Sequence, residues 1–328
     1  MSNLLSICIP TYNRIHYLKE LLPILLPQAE KLGVEVCVSD NCSTDGTKDY
    51  LLYMRHNINC FKYIVQKKNL GLEKNMLFAI SMAKNKYILL IGDDDFIPNE
   101  KLSTILSSLE NSLDLLILDG WHTDSFLNPR KPHLPKELKG IYFTSPFSAF
   151  IKLWDKMHLG SFLVHRDCFS PVFFEKYIGT SHAYTGMVWD YLAQKYRKSS
   201  KVSIKCMSTP TVLIRGGEKS WHKNTALIML YEIPRWFYLL KKDYELQVNP
   251  ILANYLKRQT RIFSLLRYQA INQLNSVIVN NLMTYFSPYQ RLKAKIIGKI
   301  PVMFSKKIIN LENNLIRIIR PLKYFIYR

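Results

Sequence analysis

The sequence predicts an α/β fold with a mainly parallel central sheet, followed by a C-terminal α-helical region. Three observations lead to that expectation. From the start to about residue 120, short apolar runs alternate with amphipathic stretches, as strand-helix-strand units require. Thr11, Asp40 and the triplet Asp93, Asp94 and Asp95 all fall where apolar runs end. After Thr225 the pattern changes to long helical periodicities rich in Leu, Ile, Tyr and Lys, punctuated by Pro234, Pro250, Pro288, Pro301 and Pro321. The expected division is a first domain over 1–222 and a helical region over 223–328.

"LLSICIP" is the first apolar run, and Pro10 is expected to end it. Leu18, Leu21, Leu22 and Leu25 recur at three- and four-residue spacings and predict a helix. "VEVCVSD" reads as the second strand with Asp40 at its end, and "TDGTKDYLLYMRH" as a turn and helix. "FKYIVQ" is the third strand. In "GLEKNMLFAISMAKN" the residues Leu72, Met76, Ala79, Ile80 and Ala83 share one helical face. "KYILLIG" and "LDLLILDG" have the composition of strands buried on both sides. Beyond them "NPRKPHLPKE" reads as a Pro-interrupted loop, "FSAFIKLWDKM" as a helix, "GSFLVHRDCF" as a strand entering a helix, and "TGMVWDYLAQKY" as a helix. "TPTVLIRGGEKSWHKN" is a strand followed by a glycine-hinged loop with the composition of a lid.

The 328 residues are 48% hydrophobic, ample for a core. The six cysteines are scattered without a CxxC pair, which argues against zinc or redox chemistry through cysteine and for buried, reduced thiols. No apolar window of about eighteen residues predicts a membrane span, and "MSNLLSICIPTYNR" lacks signal-peptide features. A cytoplasmic location is the expectation. The formal charge of +20 requires an anionic partner, and its distribution selects one: between 291 and 328, ten Lys and Arg oppose Glu312 alone. Interleaved with Ile, Leu, Phe and Tyr, these basic residues suit an amphipathic helix on an anionic membrane surface, here the cytoplasmic face of an inner membrane. A helix packed on the first domain with a solvated basic face is the alternative. Without a recognised module or aromatic platform, no nucleic-acid partner is expected.

Open α/β sheets bind ligands beyond the carboxyl ends of their strands, which is where Thr11, Asp40 and the aspartate triplet are placed by this reading. Adjacent carboxylates beside a core repel one another and call for a cation. Aspartates at i and i+2 of an extended segment point to one side, so Asp93 and Asp95 are the expected pair for Mg²⁺ or Mn²⁺, shared with substrate phosphates. One aspartate capping a helix near Pro98, with the others solvated, is the structural alternative.

"SICIPTYNR", "VSDNCSTDGT", "NLGLEKN" and "LLIGDDD" occur in that order at strand-helix spacing, and this set resembles the family 2 glycosyltransferases of the GT-A fold. The resemblance is strong over about 4–120 and weak over 120–222. It implies a metal-dependent, inverting transfer from a nucleoside diphosphate sugar to a hydroxyl of a glycan or lipid-linked acceptor. It implies that Pro10, Thr11 and Tyr12 line the nucleotide pocket and that Asp40 accepts the ring N3–H of uracil or thymine, favouring a UDP- or dTDP-sugar. Asn69, Gly71 and Lys74 match the segment near base and ribose, and Asp93 and Asp94 the diphosphate-sugar contacts. The departures are Asn41 and Cys42 in place of the family's Asp-Gly, and Gly92 where many members carry a further aspartate. A similar glycine occurs in a subgroup resembling abequosyltransferases of surface polysaccharide assembly, which points to O-antigen, capsule or lipooligosaccharide precursors.

The family's base is an Asp near a helix start, often in a Glu-Asp pair that is missing here. Asp190 is the first candidate, with His182 and Asp167 competing; pairing of Asp190 with Lys195 or Arg197 is its structural alternative. Lys219, Trp221 and His222 in the glycine-hinged loop offer charge, an aromatic wall and a third metal ligand, with a plain surface hairpin as the alternative. Two other functions are kept open: a sugar nucleotidyltransferase, disfavoured because "PTYNRIHYL" has no glycine, and a non-catalytic membrane-docked nucleotide-sugar-binding scaffold.

Overall fold

A computed structural model describes residues 4–56, 58–109, 112–217 and 223–326, with side chains described to residue 316. The chain divides into two bodies, Met1–Ile178 with Ala183–Lys219, and Gly179–His182 with Ser220–Arg328.

The first body begins with β1 (Leu5–Thr11), α1 (Ile15–Leu32), β2 (Glu35–Asp40), α2 (Thr47–Arg55), β3 (Phe61–Val65), α3 (Leu72–Ser81), β4 (Tyr87–Leu90) and α4 (Lys101–Ser107). It continues with β5 (Leu115–Thr123), β6 (Pro129–Pro132), β7 (Tyr142–Phe143), α5 (Pro146–Leu153), β8 (Phe162–His165), α6 (Pro171–Tyr177), α7 (Ala183–Ser199) and β9 (Ile204–Ile214). Among the described residues the sheet order is β3-β2-β1-β4-β8-β5-β9-β7, with β6 paired to β5. The β3-β2-β1-β4 part is parallel, and β5-β9 is parallel. Between these parts β8 runs antiparallel to both β4 and β5, so the whole sheet is mixed.

Each helix faces the sheet with its apolar stripe. In α1 the predicted Leu18, Leu21, Leu22 and Leu25 are buried, joined by Leu26 and Ala29, against Ile7, Val36, Val38 and Leu89. In α3 the face differs by one position. Leu72 is exposed at the first turn, and the buried slot is taken by Asn75 beside Met76. Leu72 follows Gly71, whose φ of 83° turns the chain just before the helix, and the interior needs a polar group there for reasons given below.

Pro10 does not end β1. The Cys8 C=O accepts from Ile91 N–H on the β4 side and the Thr11 C=O from Asn41 N–H on the β2 side. Alternation therefore turns the Pro10 nitrogen toward the β4 side, where the ladder stops at the Cys8↔Leu90 pair and no donor is needed. The predicted loop "NPRKPHLPKE" is also corrected: its first part is β6, an exposed edge strand with Trp121 opposite Pro132 and His122 opposite Lys131. Prolines are tolerated there because an edge has an open side. All six cysteines are free; Cys8, Cys37, Cys168 and Cys206 are buried, and burial pushes the Cys206 thiol up to about 12.

The second body is helical. It contains α8 (Thr225–Leu227), a π-helical turn at Ile228–Glu232, α9 (Ile233–Gln259), α10 (Ile262–Ala270), α11 (Pro288–Ile297) and α12 (Val302–Ile326). Its core joins Ala226, Leu230, Leu265, Leu266, Leu274, Met283, Phe286 and Ala294. A Ser287 capping box with Gln290 starts α11, and Pro288 occupies the first helical turn, where its missing N–H costs nothing. Among the described residues no helix is long and apolar enough to cross a membrane.

Candidate functional site

Thr11, at the end of β1, donates from its hydroxyl to Asp93 Oδ2 at 2.7 Å, just beyond the end of β4. Arg14 closes the other side, with one guanidinium nitrogen 3.3 Å from Asp93 Oδ1 and the other 2.7 Å from Asp94 Oδ2. This is the cation that the triplet calls for. Burial nevertheless pushes the Asp93 carboxyl up to about 7, against the pull of Arg14, with the neighbouring Asp94 adding repulsion.

The triplet is not extended. Asp95 N–H donates to the Gly92 C=O at 3.3 Å, closing a turn over Asp93 and Asp94. The i, i+2 argument for Asp93 with Asp95 therefore fails, because a turn rotates successive side chains out of the pleat. Asp94 Oδ1 and Asp95 Oδ2 converge instead: a Cβ at Gly92 would stand 2.8 Å from the first and 3.2 Å from the second. A Cβ at Gly160 would stand 2.9 Å from Asp95 Oδ2, so Asp95 packs against both glycines. Carboxylate oxygens are hard donors of the kind that a small divalent cation takes together with phosphate and water.

Arg215 sets the position of Asp95. Lying just after β9 and only 6% exposed, it donates its backbone N–H to Asp95 Oδ1 at 3.0 Å. Its guanidinium reaches the Asp94 C=O at 2.8 Å, the Ser125 C=O at 2.6 Å and Glu20 at 2.5 Å. The Tyr17 ring lies between Arg14 and Arg215, 4.6 and 5.0 Å from their guanidinium carbons. A buried arginine with this many acceptors fixes the turn as a unit. Arg14 and Arg215 sit inside the "PTYNR" and "LIRGG" motifs, but their partners are distant in sequence.

Asp40, at the end of β2, is fully buried. Its Oδ1 accepts from the Ser43 N–H at 3.1 Å and the Ser43 hydroxyl at 2.5 Å, while its buried Oδ2 has no partner among the described residues. Desolvation raises its pKa in spite of Ser43. An unsatisfied buried acceptor is costly, and a donor brought from outside the protein would relieve that cost. Next to it Asn41 takes a bridging role: its amide donates to Asn69 Oδ1 at 2.9 Å and its oxygen accepts from Leu70 N–H at 2.8 Å. Asn69 also accepts from Gly71 N–H at 2.9 Å, so the departure from the family's aspartate holds the 69–71 turn. Gly71 and Lys74 are exposed on this turn and α3, Tyr12 is exposed after β1, and Pro10 is buried.

Asn75 accounts for the polar slot in α3. It donates to Ser39 C=O at 2.9 Å and Thr11 C=O at 3.2 Å and accepts from the Ser39 hydroxyl at 2.7 Å, which joins β1, β2 and α3 beneath the site. Its sequence signals are an amide on an apolar face and its place at the end of "NLGLEKN".

The base candidates separate. Asp190 is 2% exposed and receives Lys176 Nζ at 2.7 Å and the Tyr177 hydroxyl at 2.8 Å. Lys195 reaches Asp114 Oδ1 at 2.5 Å, at the start of β5. Burial and the carboxylates of Asp95 and Glu73 raise the hydroxyl of Tyr184, in the first turn of α7. Asp190 is about 9 Å further along that helix, toward the opposite sheet edge. Asp167 lies at that opposite edge, where Arg166 N–H donates to Lys86 C=O and His165 pairs with Tyr87. His182 belongs to the second body, its ring 5.7 Å from that of Trp236, and desolvation pushes it down to about 4. Lys219, Trp221 and His222 lie outside the described residues.

The glycosyl transferase family 2 model matches residues 6–169. The abequosyltransferase RfbV of Salmonella typhimurium is 30% identical over 235 residues, covering 67% of this chain and 69% of RfbV. The poly(ribitol-phosphate) beta-N-acetylglucosaminyltransferase TarS of Staphylococcus aureus is 31% identical over 115 residues, 34% of this chain and 20% of that protein. The crystal structure of TarS 1–349 in complex with UDP-GlcNAc superposes with a TM-score of 0.60 at 19% identity, covering 90% of this chain and 89% of that one, and shares the fold. The strand-end carboxylates thus lie on a GT-A sheet, and the chain belongs to glycosyl transferase family 2: it is a glycosyltransferase.

Proposed function

We propose that the protein transfers a sugar, with inversion, from a UDP- or dTDP-sugar to a hydroxyl of a bacterial surface-glycan precursor. The observation that carries the donor assignment is Asp40 Oδ2, a buried acceptor without a protein donor among the described residues. Uracil and thymine offer a ring N–H to such an acceptor, and cytosine offers a lone pair at that position. The names of RfbV and TarS support a surface polymer as acceptor, and the TarS complex with UDP-GlcNAc supports a uridine donor.

In the reaction, the acceptor oxygen bonds to the sugar's anomeric carbon as the bond to the diphosphate breaks, and the hydroxyl proton leaves to a base. Asp94 and Asp95 are the residues that would hold Mg²⁺ or Mn²⁺, and such an ion supplies charge neutralisation for the departing diphosphate. Thr11 and Arg14 hold Asp93, and Arg215 holds Asp95, so the carboxylates are oriented before the donor arrives. Asp190 serves to bind α6 to α7.

The amphipathic α12 is the membrane-docking element of this proposal. Phe304, Ile308, Leu311 and Leu315 form an exposed stripe at helical spacing, flanked by exposed Lys306 and Lys307.

The test is a thermal-shift and transfer panel of UDP-, dTDP- and CDP-sugars with Mn²⁺, on wild type and Asp40→Asn. UDP- or dTDP-sugars should stabilise the wild type, and the Asn variant should lose about tenfold or more in affinity for them, by the usual worth of a hydrogen bond to a charged group. Equal stabilisation by CDP-sugars in the wild type would exclude the Asp40 assignment.

A further inference from the structure

We propose that His122, His133 and His158 form a transition-metal site of the zinc class, separate from the carboxylate site, that ties the β5-β6 hairpin to the loop before β8. One ring nitrogen from each lies within 4.8 Å of the other two. The rings approach in three different planes, with centroids 5.2, 5.7 and 5.6 Å apart, so they converge on a point and do not stack.

The tautomer of the central ring is set by its surroundings. His133 is buried, and its Nε2 lies 2.9 Å from the Lys156 C=O, an acceptor only, so that nitrogen carries the proton. Its Nδ1 is then a lone pair, and it faces His122 Nε2 at 3.2 Å. A backbone carbonyl holding the far N–H of an imidazole is the usual support of a metal-bound histidine. Two nitrogens on a tetrahedral zinc with bonds of about 2.0–2.1 Å are separated by roughly 3.3 Å, which this pair already matches. His158 is exposed and can close the remaining distance by rotation, while its backbone is fixed by His158 N–H donating to Ser161 Oγ at 2.8 Å.

Three neutral imidazoles without a thiolate or carboxylate select a borderline ion over Mg²⁺ or Mn²⁺. The fourth position is left to water or an exogenous ligand. The site joins β5, the residue after β6 and the 156–161 loop, and that loop carries Gly160, which faces Asp95. Metal loading therefore stiffens the wall of the carboxylate site.

The experiment uses full-length protein stripped of metal and held in excess Mg²⁺, titrated with Co²⁺ and then Zn²⁺. One equivalent of Co²⁺ should bind with the visible absorption of a four-coordinate ion and be displaced by Zn²⁺, with a rise in melting temperature. His158→Ala, an exposed substitution, and His122→Gln should each weaken Zn²⁺ binding about tenfold or more, while Asp95→Asn retains the cobalt spectrum. Absence of stoichiometric Co²⁺ or Zn²⁺ binding, or unchanged affinity in His158→Ala and His122→Gln, would overturn the site.

Discussion

Gly92 has no side chain because Asp94 Oδ1 occupies the place beside it: a Cβ there would sit 2.8 Å from that oxygen. Gly92→Ala should fold, at a cost of about 1–3 kcal/mol for the overpacked contact. Displacing the Asp94 and Asp95 carboxylates by up to an ångström should lower kcat by as much as about 100-fold. The check is kcat against the concentration of Mn²⁺. An alanine variant with wild-type kcat and metal dependence would show that the packing of Asp94 against Gly92 has no part in transfer.

Arg215→Met should destabilise the first body by about 2–4 kcal/mol, because the Asp94 and Ser125 carbonyls lose their donors. Arg215→Lys restores the charge but cannot reach three directions at once, so its melting temperature should fall between those of wild type and Met. Denaturant unfolding of the three proteins gives the order.

Asp190→Asn separates structure from chemistry. Losing the charge opposite Lys176 should cost about 3 kcal/mol, by the usual effect of breaking a buried pair. The kcat of the folded protein should change less than about threefold, since Lys176 and Tyr177 engage both Asp190 oxygens in a structural pairing. A loss of a thousandfold in kcat with intact folding would restore Asp190 as the base.

The pH dependence of stability follows from His182. Its folded pKa of about 4 lies below the ordinary value of 6.5. Between those values the unfolded chain binds a proton that the folded one refuses, so stability falls as pH drops from about 6.5 to about 4, by up to ~3 kcal/mol. His182→Asn should flatten that part of the melting-temperature profile. An unchanged slope would mean that the imidazole is solvated.

Replacing Phe304, Leu311 and Leu315 together by Ser alters exposed positions of α12. Sedimentation with anionic vesicles should drop at least about tenfold, since each buried methylene contributes about 0.8 kcal/mol to docking. Equal sedimentation of variant and wild type would remove α12 from membrane binding.

The sequence by itself determined the alternation of strands and helices, the apolar face of α1 and the placement of Thr11, Asp40 and the aspartate triplet at strand ends. These follow from local periodicity and from the polarity of a sheet's carboxyl edge, both written in neighbouring residues. Only the tertiary structure decided the rest. A turn at Gly92 took the place of the extended segment expected over Asp93–Asp95, because backbone bonding within four residues overrides a two-residue repeat. Asp190 meets Lys176 and Tyr177 because α6 packs on α7. Arg215 serves Asp94 across more than a hundred positions, and β8 inserts between β4 and β5. His122, His133 and His158 carry no recognisable spacing, since strand pairing and a loop bring them together. Contacts between distant segments are set by the free energy of the whole packed body, which no local pattern encodes.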